Sequence, residues 1–153
     1  MADEVSLFRL YLMRTLYLLT FVGVGMGVWP ALINHPKPWD PMHGVAFSFW
    51  AAYSALMGLG IRYPLKMLPL LLLQLFYKSV WLLAVALPLS SAGPLDPVAS
   101  ELTRVFVGAV IADLIVIPWP YVWANYVRKP GDRWRYTKAR RLAHDDLRNA
   151  EAP

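Results

Sequence analysis

Four long apolar runs dominate the chain, and short stretches rich in proline, glycine and charge separate them. The runs cover residues 7–29, 44–61, 67–87 and 105–127. A helix needs about 20 mainly apolar residues to cross a bilayer, and each run meets or nearly meets that length. The second run carries no charge, and the first is interrupted near its start by Arg9 and Arg14. Segments such as LPLLLLQLF do not alternate with period two, so the runs read as helices and not as strands of a barrel. A backbone surrounded by hydrocarbon has to close its own hydrogen bonds, which also selects helices.

The connections agree with this division. Residues 30–43 hold four prolines and read through INHPKPWDPMH. Residues 62–66 make a tight turn, RYPLK, and residues 88–104 hold three prolines together with Ser90, Ser91, Ala92 and Gly93. Proline and glycine clusters between apolar runs are turn chemistry. Ser100-Glu101-Leu102 is the expected start of the fourth helix. The first run is followed by Trp29 and Pro30 and by no small-residue cleavage site, so it reads as a retained helix.

Composition points to lipid as the solvent. The 153 residues are 58% hydrophobic and 16% charged, and mean hydropathy is +0.41. Soluble domains sit near 45–50% apolar and about 25% charged. The net charge of +5 matters less than where it lies. Arg9, Arg14, Arg62, Lys66 and the basic tail fall on one side of the predicted spans, and only Lys37 and Arg104 on the other. Cytoplasmic loops concentrate Lys and Arg. The expected architecture is therefore an all-α integral membrane four-helix bundle in a bacterial inner membrane, both termini cytoplasmic, with residues 1–127 forming the membrane domain and 128–153 a basic tail. Trp29, Trp39, Trp119, Trp123 and Tyr126 fall at the expected interfaces and read as belt anchors. Small residues four apart, Gly23 with Gly27, Ala51 with Ala55, Ser54 with Gly58 and Gly108 with Ala112, are expected to let helices approach closely, within the bundle or in a homo-oligomer.

Ionisable residues within spans are costly and mark the candidate site. Lys78 lies near the middle of the third run and Asp113 inside the fourth. Counted from the outer ends of the predicted helices, both sit roughly 12–14 Å deep at about 1.5 Å per residue. The pair is expected to face each other across adjacent antiparallel helices. Gln74 lies one turn before Lys78 on the same face, and Trp81 three residues after it. Pro118 and Pro120 are expected to break the fourth helix near Ile117 and to free the carbonyls of Leu114 and Val116. Arg14 is expected to extend toward the cytoplasmic head groups, with anionic ligand binding as its alternative role.

Other chemistry is thin. The absence of cysteine excludes disulfides, thiolate metal sites and Fe–S ligation. No histidine lies inside a run, so haem held between helices is not expected. His35, Asp40 and His43 have the ligand types for a metal, but the spacing matches no metal motif. Nucleotide-binding, nucleophile-elbow and zincin motifs are lacking. The tail carries eight basic residues, including Arg128, Lys129, Arg133, Arg135, Lys138, Arg140 and Arg141. Beside a span, such a tail attracts anionic lipid head groups and not nucleic acid.

The segment GIRYPLKMLPLLLLQLFYKSVWLLAVALP, with HGVAFSFWAA before it and IPWPYVWANYVRKPGDRW after it, resembles a group of uncharacterised small bacterial four-helix membrane proteins that are loosely DoxX-like. The resemblance is carried by Tyr63, Pro64, Pro69, Lys78 and Trp81. It implies the four-helix membrane architecture, and no motif here carries over an activity. Two functions are expected in order: a non-enzymatic accessory or structural subunit of a membrane complex, and a binder or carrier of a small lipophilic or anionic ligand, quinone-like or a proton-coupled solute, at Lys78 and Asp113. A membrane enzyme comes third.

Overall fold

The computed structural model describes residues 5–34 and 38–131. Every element among them is helical. In chain order these are α1 (Leu7–Ile33), α2 (Pro41–Arg62), α3 (Leu68–Trp81), a π-helical segment (Leu82–Ala86), α4 (Leu87–Ala92), α5 (Pro97–Val116), α6 (Trp119–Val122) and a second π-helical segment (Trp123–Arg128). Three stretches, Leu7–Ile33, Pro41–Arg62 and Leu68–Ala92, are long and apolar enough to cross a membrane. A fourth joins them if the two helices flanking the break at residues 117–118 count as one bent span. Among the described residues, those up to Tyr121 form one compact unit and those from Val122 onward belong to a second.

Three helix starts, those of α1, α2 and α5, are written in short polar side chains, followed in α2 and α5 by proline. Ser6 accepts from the Arg9 amide at 3.3 Å to open α1. Asp40 Oδ2 accepts from the amides of Met42 and His43 at 3.1 Å, with Pro41 in the first turn of α2. Asp96 Oδ1 accepts from Val98 and Ala99 at 2.9 and 3.0 Å ahead of α5, again with proline first. Such caps satisfy amides that the first helical turn leaves without partners, and proline suits a position whose N–H is unused. Two expectations are corrected here. The helix after the third loop begins at Pro97, not at Ser100, because Asp96-Pro97 is the stronger start signal. The first helix runs through Pro30 to Ile33, shortening the expected 30–43 loop from both sides.

The third helix also outlasts its expected end at residue 87. Pro88 would clash with the carbonyl one turn back in an α-helix. The widened turn at Leu82–Ala86, in which the Leu87 amide bonds to Leu82 O, opens the ladder just before the proline. The helix then continues to Ala92.

Within residues 1–121 the helices close into a ring: α1 packs on α2, α2 on α3, α3 on α5, and α5 back on α1. On α1 the buried positions are Met13, Leu16, Tyr17 and Thr20, one face at helical spacing. On α3 they are Leu68, Leu71, Gln74 and Lys78. The outward faces expose large apolar side chains throughout, among them Phe8, Leu19, Met26, Phe76, Leu83 and Ile115. The close approach of α1 to α2 rests on Gly60, where a β-carbon would overlap the buried Tyr17 ring, and on Gly58, which meets Phe21 at 3.4 Å. Of the expected small pairs, Ala51, Ser54 and Gly58 lie in this contact. Ala55 is exposed. Gly23, Gly27 and Gly108 are also exposed, and a β-carbon there would meet nothing within 4 Å.

The expected break in the fourth helix is present, and the freed backbone is satisfied from two directions. Pro118 has no amide for the carbonyl of Leu114, and the Trp119 indole N–H donates to that carbonyl at 2.9 Å. The Trp119 backbone amide turns to Ile117 O at 3.0 Å. The carbonyl of Ile115 instead accepts from an Arg9 guanidinium nitrogen at 3.4 Å. Trp119→Phe keeps the ring and removes the donor. It is expected to cost about 1 kcal/mol, the usual worth of one such bond, read as a lowered unfolding midpoint in detergent.

Candidate functional site

Four helices each send one polar side chain to a common point in the ring. Gln74 of α3 is the hub. Its carbonyl Oε1 accepts from the Thr20 hydroxyl of α1 at 3.1 Å and from the Tyr53 hydroxyl of α2 at 2.5 Å. Its Nε2 donates to both carboxylate oxygens of Asp113 on α5, at 2.9 and 3.0 Å. Gln74, Asp113, Tyr53 and Thr20 are all buried, the first two completely. The amide orientation follows from chemistry: a carboxylate can only accept, so it has to face the NH2 end. The carbonyl end thus accepts from two hydroxyls, and one N–H of the amide is shared between the two carboxylate oxygens.

The sequence-predicted residues divide around this hub. Gln74, Lys78 and Asp113 do share the interior, with Lys78 only 6% exposed. The expected face-to-face pair is corrected, however, because the donor to Asp113 is Gln74 and not Lys78. The amine remains within electrostatic reach of the acid. Its ammonium lies 5.8 Å from the Tyr77 ring centroid and 5.6 Å from that of Phe106, over both faces. Cations favour that position because aromatic faces carry partial negative charge. No hydrogen bond or ion pair reaches this ammonium among the described residues, and no fully buried side-chain nitrogen or oxygen there lacks a partner. The Lys78 ammonium therefore keeps a little accessible surface while its stem stays packed within.

Trp81 completes an edge-to-face run of rings. Trp81 meets Phe106 at 5.1 Å, Phe106 meets Tyr77 at 5.7 Å, and Tyr77 meets Tyr53 at 6.1 Å. The run thus connects the surroundings of Lys78 to the hub. Tyr77 and Trp81 also line an open apolar groove of about 500 Å³ with Leu73, Phe76, Val80, Ala84 and Val85.

Arg14 reaches the C-terminal end of α2. Its Nε donates to the carbonyl of Ile61 at 3.2 Å, where α2 runs out of amides, and its guanidinium lies 5.3 Å from the Tyr11 ring centroid. A cation is favoured at a helix C-terminus, so the contact pins α1 to the end of α2. Just beyond it the Tyr17 hydroxyl donates to Pro64 O at 3.0 Å. Trp29 is likewise a tie between helices: its indole N–H donates to Ser54 Oγ at 3.1 Å, and Ser54 donates on to Ala51 O.

Of the weak metal set, Asp40 spends its carboxylate on the α2 cap, and the His43 ring stacks on Phe47 at 4.5 Å. His35 lies outside the described residues. In the basic tail, Arg128 ends the second π-helical segment and the Lys129 amide donates back to Ala124 O at 3.1 Å. Arg133, Arg135, Lys138, Arg140 and Arg141 lie outside the described residues.

Sequence reasoning missed Thr20 and Tyr53. Neither is unusual in an apolar run, and only the packing of α1 and α2 against α3 singles them out. No protein-family model, curated protein or solved structure matches the chain.

Proposed function

We propose that the chain is a four-span protein of a bacterial inner membrane, with both termini cytoplasmic, that serves as a non-enzymatic structural or accessory subunit of a membrane complex. The observation that carries this reading is the Gln74 hub. Its carbonyl and amide groups tie α3 to α1, α2 and α5, and no nucleophile with a base beside it accompanies the hub among the described residues. A satisfied polar junction in an apolar interior fixes which helices pack and at what height. The Lys and Arg asymmetry supports the orientation. The basic tail supplies a surface for anionic lipid head groups or for a partner protein.

The chain contains no cysteine, so single cysteines report topology cleanly. Ala2→Cys and Gly131→Cys are expected to react with a membrane-impermeant maleimide only after cells are opened, and Pro38→Cys before. Labelling of all three in intact cells, or of none in opened cells, would defeat the topology. Recovery of the same membrane protein with the full chain in mild detergent, in a stoichiometric and reproducible complex, is the expected result for a subunit. Migration as a lone protomer at native expression would remove that role.

A further inference from the structure

The Lys78 ammonium has no hydrogen-bond acceptor among the described residues, and one of the two rings it lies over, Tyr77, lines an apolar groove. We propose that it anchors a neutral lipophile bearing a carbonyl acceptor, whose apolar body lies in the groove along Tyr77, Val80 and Trp81. The proposal uses the membrane setting described above but does not depend on a subunit role.

Four observations bear on the ligand's chemistry. The Lys78 side chain is only 6% exposed, yet its ammonium has no acceptor among the described residues and keeps a little accessible surface. A donor in a low-dielectric setting gains strongly from an acceptor. The positive charge is already opposed by Asp113 within electrostatic reach, so an anion would face that carboxylate, whereas a neutral carbonyl would not. The groove is lined by Leu73, Phe76, Tyr77, Val80, Trp81, Ala84 and Val85, with no charged side chain among them. Tyr77 belongs both to the groove and to the pair of rings under the ammonium, which places the anchor at the groove's margin.

Depth selects among head groups. Lys78 is ten residues from Leu68 and fourteen from Ala92, about 15 and 21 Å along the helix axis. Phosphate and other strongly hydrated heads stay at the interface, so a mid-helix donor selects a weakly hydrated acceptor such as a ketone on an apolar body.

The test uses the full chain in phosphatidylcholine vesicles and the photoreactive ketone 4-dodecylbenzophenone, with adducts mapped by peptide mass spectrometry. Adducts are expected to concentrate on residues 73–85 and on Phe106. Dodecanophenone is expected to compete about tenfold better than dodecylbenzene, which differs only in lacking the carbonyl; tenfold is what a hydrogen bond from a charged donor supplies. Lys78→Met is expected to reduce the labelling about tenfold, and Lys78→Arg to retain most of it. Equal competition by the two compounds, or adducts spread evenly over the outward faces of all helices, would overturn the site. Unchanged labelling of folded Lys78→Met would do the same. The competition is measured on the unmodified chain, so it decides the matter even where Lys78→Met fails to fold. Release of the unmodified chain from vesicles by alkaline carbonate would instead overturn the membrane setting, an outcome distinct from retention without competition.

Discussion

Replacing Gln74 with leucine is expected to destabilise the bundle by about 3–5 kcal/mol, the range for leaving one buried charge without its partner. The substitution is close in volume, so packing changes little. What changes is that Asp113 loses the Nε2 donor shared by its two oxygens, while Thr20 and Tyr53 lose their common acceptor. The hydroxyl losses are small, since single polar contacts between membrane helices average about 0.6 kcal/mol. The stranded carboxylate dominates. Adding Asp113→Leu to Gln74→Leu is therefore expected to restore most of the stability, because an apolar pair needs no donor. Asp113→Asn alone is expected to be mild, as one amide oxygen still accepts from Nε2. Unfolding midpoints of these three variants and of the unmodified chain in one detergent separate these cases. If Gln74→Leu matched the unmodified chain, the hub would have no energetic meaning.

That ordering also shows what could be read from the residues alone. The three interior residues Gln74, Lys78 and Asp113 stand out because polar groups in apolar runs are few and expensive. The break at Ile117 follows from two prolines, and the 62–66 turn from its composition. Pairing was less legible. Counting residues from helix ends gives height, and height alone matched Asp113 to Lys78. Both helix ends lie farther out than their composition indicates, at Ala92 and Pro97, and the amide one turn from Lys78 holds the acid instead. Thr20 and Tyr53 carry no local mark, since a hydroxyl in an apolar helix commonly bonds to its own backbone. Their role comes from the ring closure of α1, α2 and α3, a long-range property.

Gly60→Ala is expected to cost about 1–3 kcal/mol, the usual penalty for overpacking a tight interior. An added methyl would overlap the Tyr17 ring, which is fully buried and cannot swing aside. Relief requires α1 and α2 to part or the ring to tilt, and tilting gives up the bond from the Tyr17 hydroxyl to Pro64 O. The same substitution at Gly23, Gly27 or Gly108 meets open space. There the expected change is a gain of roughly 0.5–1 kcal/mol, because alanine loses less backbone freedom than glycine on forming a helix. Unfolding midpoints of the four single variants test the contrast. A Gly60→Ala midpoint equal to or above the other three would mean that α1 and α2 are not in close contact at that point. Spacing by fours found Gly58 but not Gly60, because Gly60 has no small partner four residues away and its neighbour is an aromatic ring.

The widened turn at Leu82–Ala86 changes how the third helix should be numbered as a cylinder. Leu71 and Lys78 face inward seven positions apart, but the next inward residue is Ala86, eight positions on, while Val85 is turned outward at 38% exposure. The turn works as a one-residue phase shift. Excising one residue from it would let the turn close as regular α-helix and leave everything beyond in place, with Ala86 then seven positions after Lys78 and still facing inward. A wheel diagram drawn straight through this stretch mislabels every later position, and any alignment of other sequences to this helix needs a gap allowed at that one place.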